Sequence, residues 1–346
     1  MRAEWQRTHA ELAELAPAWD RALAQGNPDN PFLLADFLQT WAQAFVPAGE
    51  LRVLTLWEGE ELVGGLPLYR ARRLTGPRLA VLRPLGLGFA NFTEPFFVGP
   101  ESAFAAAGWA ALRQLRGWSY LSLPLGRRPW WRGAAGLRWR ESAPVTDARI
   151  AIAGGAAAYA ATLQPRMQAN LRRCRRRADE RGGVELRRET EAAVVEEMIA
   201  FQLRHNGPER YPEDREVTPS RPAWAEFTRT LLRRLAAQGR LDAMGLRLGG
   251  ELAAVGFGFR HGPGYKSLLA SYDPRFRHCG PGLLFFYELI EWCWRRGEPY
   301  LDMYADGNAF EKRRWCNQFL PLHQVWVFAP TVVGRGLYHS HRLWNR

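Results

Sequence analysis

Lysine is almost missing from this 346-residue chain: Lys266 and Lys312 are the only two, although Lys and Arg together number 47. The positive charge is therefore arginine, which keeps its proton and meets oxyanions as a planar fork, and each lysine stands out as a compact, deprotonatable cation. Cysteine is scarce too. Cys174, Cys279, Cys293 and Cys316 form no CxxC pair and no metal-like cluster with histidine. That argues against a zinc module or a disulfide framework, predicts no metal, and reads as reduced thiols of a cytoplasmic chain. Long apolar runs are absent, so no segment reaches membrane-spanning length. The opening MRAEWQRTHAELAELAPAWDRAL lacks the continuous apolar core of a secretory signal.

What is present is a globular composition, 47% hydrophobic with fifteen tryptophans, and a formal net charge of +12. An isoelectric point near 10.1 favours anionic partners: nucleotides, coenzyme phosphates, tRNA or an anionic membrane face. The length exceeds what one core usually serves, and the turn-rich, small-residue stretch from Arg127 to Ala161 places a boundary near residue 150. Two domains are expected, 1–150 and 151–346.

The most informative stretch runs from Tyr265 to Trp315. A strand-like run to Tyr272 leads into the turn-rich loop Asp273 to Gly282, an amphipathic helix from Leu283 to Arg296 and a second strand, Tyr300 to Tyr304. Strand, glycine loop, helix and strand make a βαβ unit whose loop opens at a helix N-terminus, where unpaired N–H groups favour an anion. His278-Cys279-Gly280-Pro281-Gly282 would let backbone N–H groups approach a phosphate, or is an ordinary glycine-rich turn.

A repeat supports the two-domain reading. Leu51, Leu56, Gly59, Glu61, Leu62 and Arg70, in an expected β-hairpin, recur at one constant offset as Leu241, Leu246, Gly249, Glu251, Leu252 and Arg260. Arg116-Gly117 and Tyr120-Leu121 recur as Arg296-Gly297 and Tyr300-Leu301. Helices precede each hairpin, over 8–25 and 34–45 in the first half and over 191–204 and 224–237 in the second, which makes a duplicated domain the better account. Between the halves lies a helix over 162–181, ended by Gly182-Gly183, with Leu163, Met167, Leu171, Cys174 and Ala178 on one face. Its other face carries Arg166, Arg172, Arg173, Arg175, Arg176, Arg177 and Arg181, either an anion-capturing surface or a solvated one.

This order of elements resembles the GNAT acyltransferase fold. The doubled arrangement is similar to the FemAB-like tandem group, and within it to cellulose-biosynthesis-associated (CelD-like) acetyltransferases. The residues that carry the likeness are NPFLLADFLQTW (30–41), LRVLTLWEGEELVGGLPLYR (51–70), NLRRCRRR (170–177), GRLDAMGLRLGGELAAVGFGF (239–259), SYDPRFRHCGPGLLF (271–285) and LDMYADGNAFEKRRW (301–315). Arg277, Gly280 and Gly282 fit the spacing of the family's phosphate loop. In the late motif, Gly307 to Lys312 keeps the family spacing, while Asp302 to Gly307 is one residue longer and Glu311 stands where a Tyr is usual.

The resemblance implies an α/β mixed-sheet fold of two tandem GNAT-like (acyl-CoA N-acyltransferase) domains. It implies an acetyl-CoA or other acyl-CoA site in the second domain only, since Leu85-Gly86-Leu87-Gly88 precedes Asn91-Phe92-Thr93 rather than a helix start. The acyl group would pass directly to an amine or hydroxyl of a small or saccharide-linked acceptor in cell-envelope or exopolysaccharide metabolism. Such chemistry needs donors for the thioester carbonyl, expected from the backbone of Leu269, Ala270 and Ser271, and phosphate contacts, expected from Arg277, His278, Cys279, Gly280, Pro281, Gly282 and Leu283.

Lys312 would neutralise a phosphate or the oxyanion, or is a solvated surface lysine. Asp302 and Asp306, at the carboxyl end of the second strand, are base candidates, and Tyr272 and Tyr304 proton donors, unless they are turn carboxylates and core aromatics. Arg172, Arg173, Arg176 and His205 would meet an anionic acceptor. The alternatives are a FemX-like aminoacyl-tRNA-dependent transferase and a non-catalytic scaffold binding an anionic partner or membrane face. A monomer that does not bind DNA is expected in each case.

Overall fold

A computed structural model describes residues 1–72, 79–87, 94–133, 136–142, 145–205, 221–306 and 314–340. In chain order the elements are β1 (Arg2–Gln6), α1 (His9–Glu14), α2 (Ala16–Gly26), α3 (Ala35–Phe45), β2 (Leu51–Glu58), β3 (Glu61–Arg72), β4 (Ala80–Pro84), β5 (Phe96–Phe97), α4 (Glu101–Gln114), β6 (Tyr120–Gly126) and β7 (Arg138–Glu141). They continue with β8 (Val145–Ala151), α5 (Gly155–Thr162), α6 (Pro165–Asp179), β9 (Val184–Glu189), α7 (Ala192–His205), α8 (Arg221–Ala237), β10 (Leu241–Leu248), β11 (Glu251–Phe259), β12 (Tyr265–Tyr272), α9 (Pro281–Arg295), β13 (Tyr300–Asp306), β14 (Gln318–Phe328) and α10 (Val332–Ser340).

The chain divides into two compact units. Met1–Val145 and Pro321–Arg346 contribute to the first, Thr146–Pro212 and Trp224–Leu320 to the second. The segment from Pro321 thus returns to the first unit, whereas the sequence reading runs the second domain to residue 346.

In the first unit the strands lie in the order β1-β2-β3-β4-β6-β14, with β5 on β3 and β7 on β14. The β2–β3 hairpin reads as apolar alternation on either side of Gly59 and Glu60, and Leu54, Leu56, Leu66 and Leu68 bury that alternation against α4 residues Phe104, Trp109 and Leu112. Trp109 stacks on Trp130 with centroids 4.4 Å apart.

In the second unit the order is β8-β13-β12-β11-β10-β9. Its β10–β11 hairpin repeats the first, turning at Gly249 and Gly250. One face packs α5, α6 and α9 around Leu171, Cys174, Leu284, Phe285, Leu289 and Ile290. α7 packs on β10, β11 and β12. The mixed α/β architecture with two GNAT-type units is as the sequence predicts. Within the turn-rich stretch where the sequence places the boundary, β8 pairs with β13 and α5 packs on α9.

Candidate functional site

The parallel pairing of β12 with β13 is brief. Tyr265 lies against Leu301 and Lys266 against Asp302, and no further residues pair. β12 stays bonded to β11 as far as Tyr272, so its other edge faces an opening beyond Lys266. Unpaired strand edges leave backbone N–H and C=O groups seeking partners, and beyond Lys266 this edge of β12 pairs with no strand among the described residues. Leu269 and Ser271 are buried on this stretch and Ala270 half-buried.

Past Tyr272 the chain makes a 3-10 turn, Pro274–Cys279, held at its start by Asp273, whose carboxylate accepts from Arg275 N–H. Gly280 then adopts φ 63° and caps α9, with Pro281 as the first helical residue. A side chain at Gly280 would be strained and its Cβ would fall 2.5 Å from Cys174 Sγ. Gly282 has only ordinary contact in its place, 3.7 Å to the Tyr272 ring. Leu283 and Leu284 N–H both return to the Gly280 carbonyl, and Pro281 has no N–H, so Gly282 N–H is the first-turn donor the helix does not consume.

α6 runs beside this turn. Arg177 donates to the His278 carbonyl at 2.8 Å, Arg181 lies 3.3 Å from His278 Nε2, and Cys279 Sγ donates to the Arg177 carbonyl. Arg277 and His278 are exposed while Cys279 is buried. The glycine-started helix, two guanidiniums beside it and the opened strand pair suit an extended phosphate-bearing thioester: charge where phosphates would lie, backbone donors where a carbonyl would lie.

At the vertex of the opening sits a buried ionic cluster. Lys266 and Asp302 are both 0% exposed, Asp147 1% and Arg149 7%. Arg149 pairs with Asp302 at 3.0 Å and Asp147 at 3.6 Å. Lys266 Nζ donates to the Pro263 carbonyl and, at 3.5 Å, to Tyr300 OH. Both cations approach the Tyr300 ring, Arg149 at 4.3 Å from its centroid and Lys266 at 5.4 Å. Ions removed from water persist only when mutually satisfied, and this network sits where the β12–β13 pairing ends.

Asp302 therefore lies inside β13, beside two cations. Asp306 and Tyr304 also belong to β13, but their side chains fall outside the described residues, as do Lys312 and Gly307. On α6, Arg172, Arg173 and Arg176 are exposed. Arg176 pairs with Glu180 at 3.8 Å, and Arg173 donates to Asn170. His205 ends α7, its ring 4.5 Å from that of Phe201. Burial lowers its pKa, with the Asp273 carboxylate opposing.

On the helix that carries His205, Gln202 is 1% exposed with Oε1 unpartnered, and Ser271 of β12 is 4% exposed with Oγ unpartnered. Such buried polar atoms ordinarily find a partner. Sequence reasoning passed over Gln202, Lys266, Arg149 and Asp147. For Lys266 the signal was its rarity; for the others it was absent, because their partners come from distant strands. Among the described residues no group of three or more His, Cys, Asp or Glu side chains is placed to hold a metal ion, and no helix is long and apolar enough to cross a membrane.

Comparison with known proteins agrees with this geometry. Residues 165–313 match a family model described as an acetyltransferase (GNAT) domain, and most of this segment falls within the second unit. No curated protein matches the chain. Among solved structures, FemX is similar over 98% of this chain and 99% of its own, with TM-score 0.59 and 11% identity. A conserved protein of unknown function from Bacteroides thetaiotaomicron VPI-5482 is similar over 94% and 100%, with TM-score 0.55 and 12% identity. L-PGS from Bacillus licheniformis is similar over 95% of each chain, with TM-score 0.51 and 11% identity. At these identities the likeness is one of fold, and the fold is the two-domain GNAT fold.

Proposed function

We propose that the second unit transfers an acetyl or other acyl group from acyl-CoA to an amine or hydroxyl, by direct attack and without a covalent enzyme intermediate. The observation that carries this is the parting of β12 and β13 after Lys266 and Asp302, beside a helix started by Gly280. Acyl-CoA, when bound, supplies the activated thioester. Gly282 N–H, Arg177, Arg181 and the exposed Arg277 and His278 hold its diphosphate. The open edge of β12 along Leu269, Ala270 and Ser271 donates to the thioester carbonyl, where negative charge grows as the acceptor attacks.

His205, kept neutral by burial, takes the acceptor's proton, with Gln202 and Ser271 orienting the acceptor. Tyr272, whose ring lies beside Gly282, is the proposed proton donor to the departing thiolate. Lys312, Tyr304 and Asp306 remain candidates for neutralising the oxyanion or relaying that proton. Asp302 and Lys266 act as positioning residues at the vertex. A small or saccharide-linked acceptor of cell-envelope or exopolysaccharide metabolism, and a grouping with CelD-like enzymes, belong to the same proposal.

Calorimetry tests it: CoA and acetyl-CoA bind saturably to the folded protein. Gly282→Asp places an acid in the first turn of α9, where the helix tolerates or welcomes it by about 0.3–1 kcal/mol. The same carboxylate repels phosphate, so CoA affinity falls at least about tenfold while the unfolding midpoint holds. Absent binding to the wild-type fold overturns the proposal. The likeness in fold to FemX, with exposed arginines on α6, keeps aminoacyl-tRNA as the alternative donor. Salt-sensitive tRNA binding without CoA binding would select it.

A further inference from the structure

The arginines of α6 fall into two classes. Arg175 pairs with Glu288 and Asp179, Arg176 with Glu180, and Arg177 and Arg181 hold the turn before α9. Arg166 and Arg173 meet no carboxylate among the described residues; Arg173 donates only to Asn170. Guanidiniums are costly to crowd without counter-charge, and no acidic residue occupies the first turn of this helix to offset them. These two line a cavity of about 780 Å³ with Gln164, Met167, Asn170 and Arg314. The size is that of a small-molecule site rather than of a flat macromolecular interface.

The position of the cavity identifies its ligand. Cys174 touches the Gly280 turn, and Arg177 holds that turn from the next position on the same face. At 1.5 Å per residue Arg173 lies about 6 Å along α6 from Arg177, and Arg166 about 16 Å. A nucleotide whose diphosphate occupied the α9 turn would carry its ribose toward this cavity. Three guanidiniums facing one volume match a terminal phosphate monoester, with a charge near −2 and three acceptor oxygens, better than a singly charged diester. Met167 and Ala169 add apolar wall beside them.

We propose that this cavity receives the ribose 3′-phosphate of the acyl-CoA donor, held by Arg166, Arg173 and Arg314. The proposal rests on acyl-CoA being the donor and adds that the chain discriminates CoA from its 3′-dephospho form. Titration calorimetry of the full chain at low ionic strength measures both ligands. Wild type binds CoA about tenfold or more tighter than 3′-dephospho-CoA.

In Arg166→Gln/Arg173→Gln the gap shrinks below about threefold, because CoA weakens while 3′-dephospho-CoA binds as before. Both side chains are exposed, so the fold is retained, checked by an unchanged unfolding midpoint. Arg187→Gln/Arg229→Gln removes the same charge elsewhere and preserves the gap. Equal wild-type affinities, a gap that survives the double variant, or an equal loss in the control pair overturns the inference and leaves the donor assignment intact. Binding of neither ligand by wild type overturns both.

Discussion

Each unit contains a parallel strand pair that, among the described residues, meets at two positions, and the two vertices are chemically opposite. In the first, Val81 faces Tyr120 and Leu82 faces Leu121, with Val81, Leu82 and Leu121 buried. In the second, Tyr265 faces Leu301 and Lys266 faces Asp302. The same topology thus carries an apolar joint in one copy and an ionic one in the other. The crossover helices start differently: α4 follows Pro100 in an extended conformation, whereas α9 starts on the left-handed Gly280 with cations beside it. The two strand pairs part alike, and the placement of charge distinguishes the second. A vertex closed by ions cannot be repacked piecemeal, since each member left alone is an uncompensated charge.

Breaking that contrast at its strongest point gives the largest effect. Asp302→Ala leaves the buried Arg149 with only its longer contact to Asp147 and is expected to cost about 3–5 kcal/mol in urea denaturation. Lys266→Met/Asp302→Leu, which imitates the first vertex, should cost less than the sum of its single changes; strict additivity would show that the ions are uncoupled. The apolar vertex responds differently. Leu82→Ala should cost about 2–4 kcal/mol through a cavity, with CoA affinity unchanged. A fall in affinity there would assign the first unit a share in donor binding.

A smaller loss, about 1–3 kcal/mol, is expected for Gly280→Ala, from the left-handed backbone and the overlap with Cys174. Cys174→Ala in the same background should recover part of it; no recovery would leave the backbone as the whole cause.

The smallest effect is pH-dependent. With its pKa lowered by burial, folded His205 binds fewer protons than unfolded His205. The resulting penalty is absent well above the unfolded value of about 6.5 and grows as pH falls through it. His205→Gln should therefore flatten the fall in urea midpoint between pH 7.5 and 5.5, and an unaltered slope would remove His205 from the account.

Much of this fold was legible because its signals are local. Both hairpins announce themselves by apolar alternation around glycine turns, α6 by its two faces, and α9 by its amphipathic run from Leu283, although the helix itself begins at Pro281. β8 was hidden because Asp147 and Arg149 put charged letters on what is a buried face, and their partner Asp302 lies far along the chain. β9 was hidden because VELRRE is half exposed and so carries no apolar period. For the candidate site, residue types and spacing picked out the glycine turn before α9. The vertex escaped notice because an ion cluster is a property of strand pairing, and no single segment contains it.

The distribution of thiols gives the chain a pair of built-in reporters. All four cysteines lie in the second unit and are buried, and burial raises the pKa of Cys174 and Cys293 away from the reactive thiolate. Only Trp224, Trp292, Trp294 and Trp315 among the fifteen tryptophans belong to that unit. Alkylation rate therefore times the opening of the second unit, while indole fluorescence follows mostly the first, so one unlabelled sample can show whether the two units melt together.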